Sequence, residues 1–421
     1  MSNGSIKLNQ KNTKPFLVIL CSAVYFVSYF SRKDFAAAMA AMIDVSAIDK
    51  ETGGLIGMGL FIAYGIGQLV SGYLGDKIRP STLLLFGLGT TSVCNLLMPL
   101  VPAAALMIPV WTLNGFAQAM LWPPIVRILS DNLEHEAFVR ANLVVTTAAH
   151  VSTILLYLYV PLCLRVFDWR AVFFSATVMA IVAMVLLVLA LIFVLPRDSI
   201  KKPEPKVKDT TGEDIKLFPL LMRAGIIPIF LSIIMMGILR DGIESWLPTL
   251  YGQAFDRDPS ESILVSVALP IFSILSITAV TALHKSRLFG NEVRGSLILF
   301  GCVIVTSLPI VFLVNSTGTA ARLICLILCC LVCAFMHGVN FLLISCLPGR
   351  FSAYGKAATA SGFCNAFTYV GAAISSYGMA VISEAAGWRM TIITWIVVGA
   401  LGVGFTLLSL RAYTSFIKDG E

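Results

Sequence analysis

Charged residues are scarce in this sequence. Asp, Glu, Lys and Arg make up 13% of the 421 residues, whereas apolar residues make up 58%. Soluble globular proteins carry about 25% charged residues, so this composition excludes a soluble domain. Repeated apolar segments of about 20 residues or more predict an all-α integral membrane protein, because membrane-spanning strands are shorter, at about 9–11 residues, and alternate in polarity.

Signatures of catalysis and metal binding are also missing from the sequence. It has no nucleophile–base pair, metal-ligand cluster or glycine-rich phosphate loop in a suitable context, so we predict neither an enzyme nor a cofactor. The ten cysteines lie mostly in apolar segments, and we interpret them as packing residues. The net charge of +7 comes from basic residues in short loops and does not indicate nucleic-acid binding.

Twelve apolar segments predict twelve transmembrane helices in two halves. Residues 197–217 form a linker that is too charged and proline-rich to cross a membrane. It separates an N-terminal six-helix half, residues 1–196, from a C-terminal six-helix half, residues 218–421. The predicted helices are 15–43, 52–75, 81–101, 103–130, 138–165 and 170–195 in the first half, and 218–251, 261–283, 295–314, 320–347, 356–384 and 389–412 in the second.

Basic residues concentrate in one set of loops. Besides the linker lysines, that set contains Lys7, Lys11, Lys14, Lys77, Arg79, Arg127, Arg140, Lys285, Arg287, Arg294, Arg350, Lys356, Arg411 and Lys418. The opposite loops contain fewer basic residues, and two of them, around Asp49 and Asp258, are acidic. The positive-inside rule therefore predicts that both termini and the linker are cytoplasmic, and we expect a multi-pass protein of the inner (cytoplasmic) cell membrane.

Two arginines lie inside predicted membrane helices, Arg32 in the first half and Arg240 in the second. A charge in hydrocarbon costs at least ~2.5–3.5 kcal/mol on insertion scales, so it is tolerated where it faces a polar cavity or a partner. Tyr25, Tyr29 and Arg32 have the spacing i, i+4 and i+7, which places them on one helical face. Alternatively, Arg32 snorkels to the interface and the tyrosines form an interfacial belt. The second arginine favours a shared function.

The two halves also resemble each other. Asp168-Trp169-Arg170 opens the sixth predicted helix, and Gly387-Trp388-Arg389 opens the twelfth. Two parallel six-helix repeats describe the major facilitator architecture. The segment Gly72-Tyr73-Leu74-Gly75-Asp76-Lys77 resembles the loop signature of that superfamily, whereas the matching site at Leu283-His284-Lys285 lacks the acidic residue.

Several motifs resemble those of the organophosphate:phosphate antiporter family, which includes glycerol-3-phosphate and hexose-phosphate transporters. The resemblance covers nearly the whole chain. It rests on Tyr25, Tyr29, Arg32, Lys33 and Phe35; Ala63-Tyr64-Gly65; Gly115-Phe116-Ala117-Gln118-Ala119-Met120-Leu121-Trp122-Pro123-Pro124 and Arg127; Ala149-His150; Leu239-Arg240, Gly242-Ile243, Trp246, Pro248 and Thr249; and Ser361-Gly362-Phe363 and Tyr369-Val370-Gly371.

The resemblance implies that Arg32 and Arg240 hold the phosphate of the substrate, since guanidinium groups bind phosphate in a bidentate manner. It also implies alternating-access exchange of a phosphorylated organic metabolite, of the sugar phosphate or glycerol phosphate type, for inorganic phosphate. The expected partners are these two small molecules and the lipid bilayer, with no nucleic acid, and we expect a monomer. The other candidate site residues are Tyr25, Tyr29, Lys33, Tyr64, Gln118, Trp122, His150 and Tyr369.

Each of these further residues also has a purely structural interpretation. The tyrosines and Trp122 could serve aromatic helix packing. His150 could be a hydrogen-bonded packing residue, or it could sense the charge of phosphate. Lys33 could snorkel or pair with an acidic neighbour.

The sequence departs from the glycerol-phosphate branch at several positions. Gln68, Ser245 and His337 replace a lysine, a carboxylate and a tyrosine of that branch, which puts glycerol-3-phosphate in doubt as the substrate. Asp241 and Glu244 could pair with Arg240 and partly neutralise it. Two other functions therefore stay open, a non-transporting sugar-phosphate sensor and an ion-coupled symporter of organic anions.

Overall fold

The computed structural model describes residues 10–75, 77–195, 225–284, 286, 289–354 and 357–420. Within these ranges the elements are helical and no strand occurs, which confirms the all-α fold class. The predicted linker at 197–217 lies outside the described residues. So do Asp76 of the loop signature and Lys7, Lys285, Arg287 and Lys356, which contributed to the orientation prediction.

Thirteen α-helices are numbered here in chain order over the described residues. They are α1 (Gln10–Asp44), α2 (Lys50–Gly75), α3 (Pro80–Leu97), α4 (Ala104–Ala119), α5 (Trp122–Asn132), α6 (His135–Val166), α7 (Arg170–Leu189), α8 (Ile226–Phe255), α9 (Pro259–Val265), α10 (Ala268–Leu283), α11 (Glu292–Leu313), α12 (Thr319–Asn340) and α13 (Ala357–Gly420). α7 continues into a π-helical turn, Ala190–Val194, and α12 into another, Phe341–Cys346, followed by the 3-10 helix Leu347–Tyr354.

Among the described residues, eleven helical segments are long and apolar enough to cross a membrane. The last of them, Ala360–Lys418, is interrupted at Gly387, which has a φ of 76°. A positive φ is accessible to glycine without steric cost, so the chain turns there between two apolar stretches. These two stretches correspond to the eleventh and twelfth predicted helices, and the segments therefore fit the predicted twelve-helix fold.

Two predicted helices are each divided in the structure. The segment predicted at 103–130 forms α4 and α5, with the break directly before Trp122 and Pro123. The segment predicted at 261–283 falls into α9 and α10. Proline suits the first turn of a helix because the amide hydrogen that it lacks is not used there. Pro123 therefore begins a new helix instead of continuing the old one. Each predicted segment is still one candidate membrane span, Ala104–Asn132 and Pro259–Leu283, with a break in its helix.

The chain divides into two compact units. The first comprises Met1–Met42 and Ile62–Val207, and the second comprises Ile43–Phe61 and Lys208–Glu421. The first unit has an apolar core between α1, α3, α5, α6 and α7, with Leu17, Leu88, Ile125 and Val145 among its buried side chains. Tyr25 belongs to this core, so core packing holds the stretch of α1 that carries the candidate site.

The second unit is held together by close helix contacts. Ser376 on α13 donates a hydrogen bond from Oγ to the carbonyl oxygen of Gly54 at 3.1 Å, and its own carbonyl oxygen accepts one from Trp246 Nε1 at 3.1 Å. α8 and α13 cross where Gly237 and Gly371 face each other. A Cβ atom at Gly371 would lie 2.9 Å from Ile238 N and closer still to Ile234 O. The backbones therefore touch, one turn before Arg240 on α8.

Candidate substrate-binding residues

Arg32 lies against two aromatic rings of the first unit. Its Cζ is 4.3 Å from the ring centroid of Tyr29 and 4.9 Å from that of Tyr64. Aromatic faces attract guanidinium groups at such distances. Tyr29 precedes Arg32 on α1, and Tyr64 comes from α2, where it is buried. The two rings therefore orient the guanidinium group.

The aromatic contacts continue from Tyr29 along α1. The rings of Tyr25 and Tyr29 meet edge to face at 5.0 Å, and the ring of Tyr25 lies 4.7 Å from that of Trp122. Trp122 is the first residue of α5, so the break before Pro123 places it there. The structure thus brings five predicted site residues into one group: Tyr25, Tyr29, Arg32, Tyr64 and Trp122. A role of this group in substrate binding stays a prediction.

Gln118, near the end of α4, is buried, and only one of the two polar atoms of its side-chain amide makes a hydrogen bond within the described ranges. Its Oε1 accepts a hydrogen bond from Ser28 Oγ at 2.6 Å, and Ser28 lies one turn before Arg32. Its Nε2 has no partner among the described residues. A buried donor without a partner costs roughly 1–3 kcal/mol. The donor is therefore available for an acceptor oxygen.

His150 and Lys33 are half-buried. His150 Nδ1 lies 2.9 Å from the carbonyl oxygen of Thr146, one turn earlier on α6. Because a carbonyl only accepts, Nδ1 carries the hydrogen. This is the hydrogen-bonded packing arrangement weighed from the sequence. Lys33 follows Arg32, and consecutive helical residues point about 100° apart, so Lys33 lies on a different face of α1 from Arg32.

Arg240, on α8, is held by two groups of the second unit. Its Nη1 donates to Asn340 Oδ1 at 2.6 Å, and its Nη2 donates to Asp241 Oδ2 at 2.8 Å. The side chains of Arg240 and Asp241 are only 12% and 7% exposed. The suspected ion pair with Asp241 is therefore present. Asn340 was not among the predicted site residues. In the sequence it is distinguished only as an amide side chain in an apolar segment, one turn after His337.

Glu244 has a different main partner from the one considered from the sequence. Its Oε1 lies 2.7 Å from His337 Nε2, a hydrogen-bond distance, and both side chains are less than one-fifth exposed. It is also close enough to Arg240 to interact with that charge, as is Tyr369 on α13. The ring of Tyr369 stacks on Phe61 at 6.4 Å. The structure thus places Tyr369 near Arg240, and a role of Tyr369 in substrate binding stays a prediction.

Cys333 lies beside this pair, and ligand-type atoms of Glu244, Cys333 and His337 are within 4.8 Å of one another. Ligands in a tetrahedral metal site with bonds of about 2.0–2.1 Å stand about 3.3 Å apart. The 2.7 Å between Glu244 and His337 is shorter than that and fits a hydrogen bond. We therefore interpret the two side chains as a hydrogen-bonded pair.

Asp34 is a buried acid that sequence analysis did not select, although it directly follows Arg32 and Lys33. It is 0% exposed, and its Oδ2 has no partner among the described residues. One turn earlier, the carbonyl oxygen of Ser31 accepts hydrogen bonds from Asn95 and Asn114, each at 3.2 Å. Asp34 Oδ1 accepts a hydrogen bond from Phe35 N at 2.8 Å. One amide hydrogen bond only partly offsets the cost of burying a carboxylate, so Asp34 is expected to be a neutral acid.

Replacement of Asp34 by Asn tests this expectation. Asn has the shape of a neutral carboxylic acid, so the free energy of unfolding is expected to change by no more than about 1 kcal/mol. Thermal unfolding in detergent measures it, with the exposed Asp168→Asn as the matched control. A loss of several kcal/mol in Asp34→Asn alone would mean that Asp34 is ionised and paired with a positively charged group.

The fold and these buried charges define a class, the polytopic helical membrane proteins. The family model of the Major Facilitator Superfamily matches residues 21–376, and the chain belongs to this superfamily. Structures of the same fold include a bacterial homologue of the human lysosomal transporter Spinster (TM-score 0.74, 13% identity, 96% of this chain and 98% of that chain). The nucleoside transporter NupG is another (TM-score 0.74, 14% identity, 94% and 99%).

Curated relatives carry names from the family that the sequence motifs indicated. A probable hexose phosphate transport protein of Chlamydia trachomatis is 37% identical over 106 residues, which are 25% of this chain and 23% of the relative. The glycerol-3-phosphate transporter of Haemophilus influenzae is 35% identical over 109 residues, again 25% and 23%. The chain thus matches under a quarter of the length of these relatives. The membrane sensor protein UhpC of Escherichia coli is 22% identical over 403 residues, 92% of this chain and 89% of the relative.

These names confirm the predicted resemblance to the organophosphate:phosphate antiporter family. They belong to transporters and a sensor and not to enzymes, in agreement with the prediction from the sequence.

Proposed function

We propose that this protein is a secondary transporter that exchanges a phosphorylated organic metabolite for inorganic phosphate by alternating access. The observation that carries the proposal is a buried or half-buried arginine in a membrane helix of each unit, Arg32 on α1 and Arg240 on α8. A guanidinium group matches phosphate with two parallel hydrogen bonds, and such charge-assisted bonds are about twice as strong as neutral ones. The names of the relatives support the same substrate class.

The neighbours of each arginine are proposed to complete the recognition. Tyr25, Tyr29 and Tyr64 carry phenol groups that can donate to phosphate or sugar oxygens. The unused Gln118 Nε2 supplies another donor in the first unit. In the second unit, Tyr369 is the proposed hydrogen-bond donor to the substrate. Trp122, Lys33 and His150 of the first unit are further candidates for substrate binding.

We also propose that the protein works as a monomer in the inner membrane, with both termini in the cytoplasm.

Obligatory exchange is proposed to follow from the interactions that a bound anion adds. Phosphate oxygens supply charge-assisted hydrogen bonds to guanidinium groups that are poorly solvated when no substrate is bound. The empty carrier is therefore proposed to change states slowly, so that outward phosphate is exchanged for inward organophosphate.

Phosphate counterflow in proteoliposomes tests the proposal. Vesicles loaded with inorganic phosphate are expected to take up labelled external phosphate rapidly, whereas vesicles without internal phosphate are expected to take up little. Rapid net uptake into empty vesicles would contradict obligatory exchange. Inhibition by excess glucose 6-phosphate or glycerol 3-phosphate would identify the organic substrate class.

A sensor is the second candidate function, because the relative matched over the largest share of the chain among those named above is a membrane sensor protein. A sensor is expected to bind sugar phosphate without exchanging phosphate. Binding measured on the purified protein, together with absent counterflow, would establish this alternative. Binding of organic carboxylates without competition by phosphate would instead indicate an organic-anion symporter.

A further inference from the structure

Among the described residues, the side chains around Arg240 carry more negative than positive charge. α8 supplies one guanidinium group, Arg240, and two carboxylates, Asp241 and Glu244. If the imidazole of His337 is neutral, one positive and two negative charges leave a net charge of −1. An anionic substrate approaching Arg240 would therefore meet a site that repels it.

One added proton would cancel the net negative charge around Arg240. The hydrogen bond of 2.7 Å between His337 Nε2 and Glu244 Oε1 provides a place for it, since an imidazolium and a carboxylate form a charge-assisted pair. Histidine is also the side chain that ordinarily changes charge near neutral pH. Within the part of the chain that the structure describes, the other groups near the pair are Arg240 and Asp241 on α8, Cys333 and Asn340 on α12, and Tyr369 on α13. A neutral thiol, amide and phenol among them leave the charge count unchanged.

We propose that Glu244 and His337 form a proton-binding site, and that one proton binds there together with the anionic substrate. The proton comes from the solvent on the side where the substrate binds and is released with the substrate on the other side. No bond other than that to the proton is made or broken. The inference rests on the proposed function and adds to it a proton that binds with each anion.

The two members of the pair predict opposite effects when they are replaced. His337→Gln removes the proton-binding imidazole and leaves a net charge of −1, so substrate affinity is expected to be at least about 10-fold weaker near neutral pH. Glu244→Gln removes one negative charge, so the site is neutral without a proton and affinity is expected to persist at high pH. A role of the pair in packing alone would not change the substrate affinity in opposite directions in the two variants.

Titration calorimetry of the full-length protein in detergent tests the proposal, with glucose 6-phosphate and inorganic phosphate as probes. The second pKa of a phosphate ester is about 6, so between about pH 7.5 and 9 the ester is a dianion throughout. Titrations in two buffers with different ionisation enthalpies then count the protons taken up by the protein. Wild type is expected to take up close to one proton per bound anion at the higher pH, and its affinity to fall up to about 10-fold per pH unit. Both variants are expected to take up almost none.

His284→Gln and Glu384→Gln are the matched controls, since both residues lie in the second unit and outside the Arg240 neighbourhood. They are expected to behave as wild type. A flat pH profile of wild type, or equal proton uptake in wild type and both variants, would overturn the inference and leave the proposed function intact. If wild type bound neither glucose 6-phosphate nor inorganic phosphate, the proposed function would be overturned, and the inference with it.

Discussion

Replacement of Arg32 or Arg240 by lysine is expected to abolish phosphate counterflow. Lysine keeps the charge but loses the planar fork that binds phosphate in a bidentate manner. Two charge-assisted hydrogen bonds together contribute about 3 kcal/mol, which corresponds to a loss of roughly 100-fold in exchange rate at subsaturating phosphate. Arg32→Lys also weakens the contacts with the rings of Tyr29 and Tyr64, and Arg240→Lys weakens the bond to Asn340.

Initial rates of labelled phosphate uptake measure this effect, with reconstituted protein quantified for every variant. Arg170→Lys is the matched control, because Arg170 is half-exposed and pairs with Asp168 at the start of α7. It is expected to retain the wild-type rate. If Arg32→Lys and Arg240→Lys both exchanged phosphate at more than about half the rate of wild type, the proposed bidentate binding by these arginines would be wrong.

Gly371→Ala is expected to destabilise the second unit strongly, although it adds only one methyl group. At the crossing of α8 and α13, the new Cβ would lie 2.9 Å from Ile238 N and 3.0 Å from the Cα of Gly237. These are backbone atoms, so a side-chain rotation cannot relieve the overlap. Overpacking costs typically about 1–3 kcal/mol and occasionally more, and here the helices must separate next to Arg240.

Gly378→Ala on the same helix is the control, because nothing lies within 4 Å of a Cβ at that position. Alanine favours helix over glycine by about 1 kcal/mol, so Gly378→Ala is expected to be neutral or slightly stabilising. Thermal unfolding in detergent and the yield of monodisperse protein compare the two variants. Equal stability would show that the crossing of α8 and α13 is looser than the structure indicates.

The membrane fold could be predicted from the sequence because it follows from local composition. A backbone in lipid must satisfy its hydrogen bonds internally, so long apolar segments become helices whatever surrounds them. Arg32 and Arg240 were visible for the same reason, since charge is rare in such segments. The contact between Arg32 and Tyr29 also follows from the periodicity of a single helix.

The partners of these charged side chains could be identified only from the tertiary structure. Glu244 meets His337 from 93 residues away, and Arg240 meets Asn340 from 100 residues away. Which side chains face each other there depends on how far each helix is rotated and where it crosses its neighbour. The crossing at Gly237 and Gly371 likewise determines how closely α8 and α13 approach each other. The sequence therefore determines that these helices lie in a membrane and carry buried charge, while helix packing decides which groups share that charge, because a side chain reaches only the neighbours within a few ångströms of its own turn.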